Sequence, residues 1–371
     1  MDLIEKRKNG LIALIDWCSF TLPPGVVDID QVCKAFKLPE ADIVEMPKGL
    51  NGYSKQRAIG DIRILYAGNS NMGIHVMMSG QGCRQFETYY TMSWRHLMAE
   101  VENYGGHYTR LDLAVDDIRY DGDPPHWFVR QLVRKVKRNE CRSKFKSAIR
   151  MEGLDIGSGE STGDTLYCGS SASLIKMRAY EKDLERLKKR NMLEEGLTTW
   201  NRFEIECRDD RADTVAEMLI RGASAGAIAL GVIGQYINFV DKIPNDENKA
   251  RWPVSSWWQA FLDDVGKLRL AARAPDKTID AKREWLERQM APTMAQVLFA
   301  AGFDYADLVD FLEDGLERMT EAQWTQLEQY KTASAALSPE QRAMLKALKR
   351  KKRDADTSPL SDGPDNLQTD H

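Results

Sequence analysis

Two stretches of the same design, residues 108–117 (YTRLDLAVDD) and 200–208 (WNRFEIECR), constrain this chain more than any other feature. In the first, Leu111, Leu113 and Val115 recur at every second position, and Arg110, Asp112, Ala114 and Asp116 fill the gaps. Side chains alternate across a strand, so this pattern is a strand with one apolar and one charged face. In the second, Phe203, Ile205 and Cys207 point one way and Arg202, Glu204, Glu206 and Arg208 the other. At about 3.3 Å per residue Asp112 and Asp116 stand roughly 13 Å apart, too far to share an ion; two glutamates about 7 Å apart can converge through their longer side chains. If the strands share a sheet, two arrangements satisfy the pattern. Their charged faces build one acidic pocket rimmed by arginines, or they form a ladder of cross-strand ion pairs, Arg110 with Glu204 or Arg202 with Asp112, on a solvated face.

Residues 165–185 (TLYCGSSASLIKMRAYEKDLE) lie between them. Residues 165–168 read as a strand, 169–171 as a turn and 175–180 as a second strand, after which a charged helical pattern begins. Tyr180 therefore sits where a strand gives way to a helix, and Lys176, Arg178 and Lys182 share its side if the pleat continues. A phenol with a pKa of about 10 is mostly protonated at neutral pH, and adjacent cations or a metal favour the attacking phenolate. The same position also suits a core tyrosine that caps a sheet.

The 371 residues, 43% hydrophobic and 29% charged, have room for two domains or one large domain with a tail. No apolar run is long enough to span a membrane, and the charged first ten residues have no apolar segment behind them; a cytoplasmic location is expected. The six cysteines form no Cys-x-x-Cys pair and read as reduced thiols. The five histidines include no His-x-His or His-x-x-x-His pair, so carboxylates must supply most ligands of any metal. A net charge of −4 does not itself point to nucleic acid, but the charge is segregated. Residues 130–150 are strongly basic, and residues 304–317 are acidic. The amphipathic helix expected over 124–138 carries Arg134, Lys135, Lys137 and Arg138 on a cationic face that would follow phosphates or simply be solvated.

Residues 11–22 form a buried-strand pattern ended by Pro23, Pro24 and Gly25, and interrupted by Asp16. A carboxylate there needs a structural hydrogen-bond role or a place at the edge of an active site. Short helices are expected over 28–36 and 92–104, and a hairpin meander over 53–66, 71–79 and from Gly82 onward. Beyond Arg211 helical spacing covers 212–229, 234–240, 255–268, 276–290, 293–301, 305–315, 321–330 and 339–350, with Trp252, Trp257, Trp258 and Trp285 in the packing. Residues 349–371, basic and then polar, are expected to be disordered.

Four pieces in order, IDWCSFTL (15–22), TRLDLAVDD (109–117), TLYCGSSASLIKMRAYEK (165–182) and RFEIECR (202–208), resemble the replication initiation factor family, also called Rep_trans. That family comprises rolling-circle initiators of plasmids, integrative conjugative elements and filamentous phages. The resemblance implies an α+β fold, a central mostly antiparallel sheet flanked by helices, in a nicking domain over residues 1–222, followed by an α-helical region over 223–348 and a tail over 349–371. It implies a nicking and joining enzyme in which Tyr180, in the RAYEK motif with Lys182, attacks a phosphodiester to give a 5′-phosphotyrosyl enzyme and a free 3′ hydroxyl. A divalent cation would polarise the phosphate, held by Asp112 and Glu204, with Asp116 and Glu206 behind them. Many relatives of the wider relaxase group hold their metal with a His-hydrophobe-His pair, absent here, which favours magnesium or manganese over zinc. Arg134, Lys135, Lys137 and Arg138 would follow the DNA backbone, with Lys176, Arg178, Arg110 and Arg202 nearer the cut. The implied partners are origin DNA, single-stranded or as an extruded hairpin, a host helicase and a second copy of the chain. A relaxase that starts conjugative transfer and a non-catalytic DNA-binding regulator are the alternatives.

Overall fold

The computed structural model describes residues 9–38, 43–89, 92–188, 193, 195–270, 294–296, 302, 305–319, 323–324 and 327. In chain order the elements are β1 (Gly10–Leu22), α1 (Ile29–Ala35), β2 (Val44–Met46), β3 (Lys55–Ile59), β4 (Ile62–Tyr66), β5 (Ile74–Met78), α2 (Gly80–Tyr89), α3 (Trp94–Asn103), β6 (His107–Tyr120), α4 (Val129–Lys137), β7 (Cys141–Ser143), β8 (Ala148–Leu154), β9 (Ser161–Cys168), β10 (Ile175–Glu181), α5 (Lys182–Lys188), β11 (Leu197–Arg208), α6 (Asp210–Ile220), α7 (Ala225–Tyr236), β12 (Ile237–Phe239), α8 (Ser256–Val265) and α9 (Tyr305–Glu317). Both alternating stretches are long strands, and they are neighbours. Ten strands make one sheet in the order β2-β3-β4-β5-β1-β6-β11-β10-β9-β8, every adjacent pair antiparallel. This is the expected α+β architecture, a central antiparallel sheet flanked by helices.

One face of the sheet is apolar. Leu111, Leu113 and Val115 of β6, Phe203, Ile205 and Cys207 of β11, and Met177 and Ala179 of β10 join a single buried core with residues of α3, α4, α6, α7 and α8. Phe203 is packed between Trp127, Trp258 and Phe261, with ring centroids 5.7–6.1 Å apart. Two compact units divide near Lys277, Met1–Lys277 and Thr278–His371. The division expected after residue 222 thus falls inside the first unit, between α6 and α7.

Local chemistry explains most boundaries. Asp28 caps α1 in a reciprocal box with Gln31, and Gly105, at φ +65°, follows α3 as the expected stop. The helix expected over 212–229 is interrupted at Gly222, φ +92°, and Ser224 caps the next one by accepting from the Ala227 amide. The helix expected over 234–240 ends early: Ile237 turns extended, and β12 pairs with β7. The helix expected over 124–138 begins only at Val129, behind two prolines and an extended Phe128. The largest correction is at residues 80–89, expected as part of the meander from Gly82 onward. They form α2, because Cys83 and Phe86, three apart, bury one helical face. The helices expected over 276–290 and 339–350, the tail, and Trp285 lie outside the described residues. No described helix is long and apolar enough to cross a membrane, and no disulfide joins the six cysteines.

Candidate active site

The opposite face of the sheet carries the charge. Antiparallel register decides which charges meet: Arg202 lies opposite Asp116, Glu206 opposite Asp112, Arg178 opposite Glu204, Lys176 opposite Glu206, and Tyr180 opposite Arg202. The ion pairs follow this register. Arg202 grips Asp116 with two bonds, Nε to Oδ1 at 2.6 Å and Nη2 to Oδ2 at 2.8 Å, and reaches Asp16 Oδ1 with Nη1 at 2.7 Å. Arg178 Nη2 bonds Glu204 at 2.7 Å, and Lys176 Nζ bonds Glu206 at 2.6 Å. Arg110 turns along its own strand to Asp112, with Nε 2.9 and 3.0 Å from the two carboxylate oxygens. A ladder of ion pairs therefore exists, but neither pair expected for it, Arg110 with Glu204 or Arg202 with Asp112, is made. Ala114 stands opposite Glu204 on β6, so Glu204 is engaged from the β10 side instead.

The expected pocket exists as well, over the same face. A cavity of about 680 Å³ is lined by Asp112, Glu204, Tyr180, Lys182, Arg110, Arg178 and Arg202, which three strands and the start of α5 bring together. Tyr180 Oη donates to Glu204 Oε2 and accepts from Lys182 Nζ, both at 3.5 Å, the outer limit for such bonds. The Arg178 guanidinium and the Lys182 ammonium lie 5.1 and 5.5 Å from the centre of its ring. Arg178 favours the phenolate, but its pull does not prevail. Burial, with Glu204 and Asp16 nearby, outweighs Arg202 and Arg178 and holds its pKa well above the ordinary phenol value. Burial also pushes Lys182 down, with Arg202 adding to the effect. Burial raises Asp112 to about 8, with Glu204 and Glu206 adding to the effect against the pull of Arg110, and raises Glu204 with help from Asp16.

Not every expected residue reaches the cavity. Asp116 is fully buried beneath Arg202, and Glu206 is held by Lys176, Arg208 and Arg110. Neither lines the cavity, nor does Lys176. Arg202, expected near DNA, is itself buried and serves as the clamp under the site. The helix expected to track phosphates lies on the wrong layer: Val129, Leu132 and Val133 pin α4 to the apolar face, opposite Tyr180. Arg134, Lys137 and Arg138 are exposed there, while Lys135 is tied to Glu140, the Val240 carbonyl and Asp241 at 2.6–2.8 Å. Lys135→Met should destabilise the first unit measurably in urea while leaving DNA affinity unchanged; a selective loss of DNA binding would reverse this assignment.

Other lining residues escaped the sequence reading. A β-bulge at Asp16, where β1 slips between Ile15 and Trp17, puts two consecutive side chains, Asp16 and Trp17, on the cavity wall. Asp16 thus meets both readings left open for it, an ion pair with Arg202 and a place on the cavity wall. Arg110 stacks over Trp17 at 4.4 Å. From α2 come Gly80, Gln81 and Arg84, missed because this helix was expected as a strand. A side chain on Gly80 would bring its Cβ within 3.2 Å of the Asp16 carboxylate. Arg84 is buried and bonds Glu87 at 2.9 Å and the Ile15 carbonyl, while its Nε and Nη1 make no hydrogen bond.

Among the described residues, no three His, Cys, Asp or Glu side chains are gathered closely enough to hold a metal alone. The cavity instead offers two buried carboxyls, Asp112 and Glu204, whose pKa values are raised. That donor set suits a hard cation that takes one or two carboxylates and completes its shell with water and a phosphate.

A broad antiparallel sheet with a tyrosine- and arginine-lined cavity on one face, matched to the family models and the solved structure below, places the chain in the class of rolling-circle replication initiators. The solved structure of a rolling-circle replication initiator protein from Geobacillus stearothermophilus superposes with a TM-score of 0.65 at 36% identity, covering 71% of this chain and 100% of that one. Residues 106–314 match the replication initiation factor model, and residues 12–99 match the rolling-circle replication initiation protein N-terminal domain. A putative DNA relaxase of Bacillus subtilis (strain 168), NicK, is 31% identical over 310 residues, 80% of this chain and 85% of that protein. The chain belongs to the replication initiation factor family of rolling-circle initiators.

Proposed function

We propose that this protein nicks and rejoins one DNA strand at a replication origin, with Tyr180 as the nucleophile. The supporting observation is that a strand-end tyrosine hydroxyl meets Lys182 and Glu204 at 3.5 Å in a cavity lined by arginines and carboxylates. Tyr180 Oη attacks the scissile phosphorus and gives its proton to water. The bond from phosphorus to the 3′ oxygen breaks, and that oxygen takes a proton from solvent to become the priming 3′ hydroxyl. The phosphate stays on the enzyme as a 5′-phosphotyrosyl ester, and attack by a 3′ hydroxyl reverses the steps. Lys182 and Arg202 stabilise the phenolate, and Arg178 and the spare donors of Arg84 suit the phosphate oxygens. A magnesium or manganese ion held by Asp112 and Glu204 would polarise the phosphate and offset charge in the transition state.

The decisive experiment is mass spectrometry of the conjugate formed with single-stranded origin DNA and magnesium. The expected product is an oligonucleotide on the peptide containing Tyr180; attachment elsewhere, or none, overturns the reading. The relaxase name of the Bacillus relative favours a second reading, the same chemistry at a transfer origin.

Two further outcomes follow from the site. Because only the phenolate attacks and the Tyr180 pKa is raised, single-turnover cleavage should climb about tenfold per pH unit through the neutral range; a flat profile would mean another step limits. Asp112→Asn and Glu204→Gln should each lower magnesium-dependent cleavage by roughly 100-fold or more while single-strand binding stays within about twofold. Loss of the fold in both variants would assign these carboxylates to the ion-pair ladder alone.

A further inference from the structure

The sheet continues past the cavity. β9 and β8 carry the same face out to the sheet edge, and register identifies the side chains on it. Tyr180 lies opposite Thr165 and Thr165 opposite Met151; Arg178 lies opposite Tyr167 and Tyr167 opposite Ile149. Cross-strand partners project to the same side, so Met151, Ile149 and Tyr167 share the face of Tyr180. Met151 is two strand spacings, about 10 Å, from the nucleophile. Ile149 is 62% exposed and Met151 59%, on the last strand of the sheet. Apolar side chains on an open edge strand invite aggregation unless they have a use.

We propose that Ile149, Met151 and Tyr167 form a platform on which unstacked bases of single-stranded DNA lie beside the scissile phosphate. The proposal rests on the nicking reading of the cavity and adds the subsite that holds the flanking nucleotides. Continuity favours this occupant, since the platform adjoins the row of Lys176, Arg178 and Tyr180 across one strand. Charge favours it as well. Arg178, opposite Tyr167 and 38% exposed in its side chain, and Lys146, exposed two residues before β8, supply positive charge here, and two copies of the chain meeting on this face would bring these cations together. A DNA strand brings phosphates to the cations and an apolar base face to the strip. Such stacking accepts any base, so it grips single strands without reading sequence.

The test uses the full chain with Ile149→Ser and Met151→Ser combined, both at exposed positions, and compares oligothymidylate with an abasic oligonucleotide of equal length. The unaltered protein should bind the thymidylate at least about tenfold more tightly than the abasic strand. The double variant should lose most of that preference, with an unchanged salt dependence because no phosphate contact is removed. An undiminished preference in the variant, or none in the unaltered protein, overturns the platform. Loss of self-association in sedimentation with the preference intact overturns it too, and makes the strip a contact between copies. The nicking reading is scored separately by the Tyr180 adduct: an adduct with no base preference removes only the platform, and a base preference without an adduct removes only the nicking.

Discussion

Tyr180→Phe should abolish strand cleavage, by at least roughly 10⁴-fold, and eliminate the covalent DNA adduct. The substitution removes one oxygen. The ring remains between Arg178 and Lys182, and the long hydrogen bonds it gives up, both 3.5 Å, contribute little to the fold. Melting temperature and single-strand affinity should therefore stay near those of the unaltered protein, which separates lost chemistry from lost structure. An adduct that persists on the Phe variant would name another nucleophile, and Tyr167, on the same sheet face one strand away, would be the first to examine. Either cleavage without the hydroxyl or collapse of the fold would defeat the assignment.

Arg202→Met should destabilise the first unit by about 3–5 kcal/mol, the usual result of removing one partner from a buried ion pair. Arg202 is 4% exposed and Asp116 0%, so the substitution takes the two-pronged ion pair away from a buried carboxylate. Asp16 loses the same partner and is left on the cavity wall. Adding Asp116→Leu should recover much of the loss, because the residue left behind is then apolar. Arg202→Lys should recover less, since an ammonium cannot reproduce the two-pronged bond to Asp116 while also reaching Asp16. Urea unfolding measures all three variants, and a loss under about 1 kcal/mol for Arg202→Met would show that the Arg202–Asp116 pair contributes little to the fold.

How much was legible beforehand varies with the range of the interaction. Alternation is local, so the strands carrying Asp112 and Glu204, their charged faces and the strand end at Tyr180 could be read directly. Residues 80–89 misled for a local reason as well: two glycines near the start look like a turn, and only burial of Cys83 and Phe86 selects a helix. With that helix, Arg84 was lost from view. Asp16 was noticed with two roles left open, because a bulge depends on the slip between two strands far apart in the chain. The basic helix α4 shows the limit of charge as a guide: its cations are real, but its apolar stripe binds it to the layer away from the cavity.

By itself the sequence determined the periodicities: which residues form strands, which side chains share a face, and that a tyrosine ends one strand with cations beside it. The tertiary structure alone decided the partners. Whether Arg202 neutralises Asp112 or Asp116 depends on the register between β6 and β11, strands separated by six other elements along the chain, and a shift of four residues would preserve every face while placing Arg202 opposite Asp112. Long-range pairing left Asp112 and Glu204 facing a common cavity with Tyr180 and buried Asp116 beneath Arg202. A period of two records the side of a sheet and carries no information about the neighbour across it.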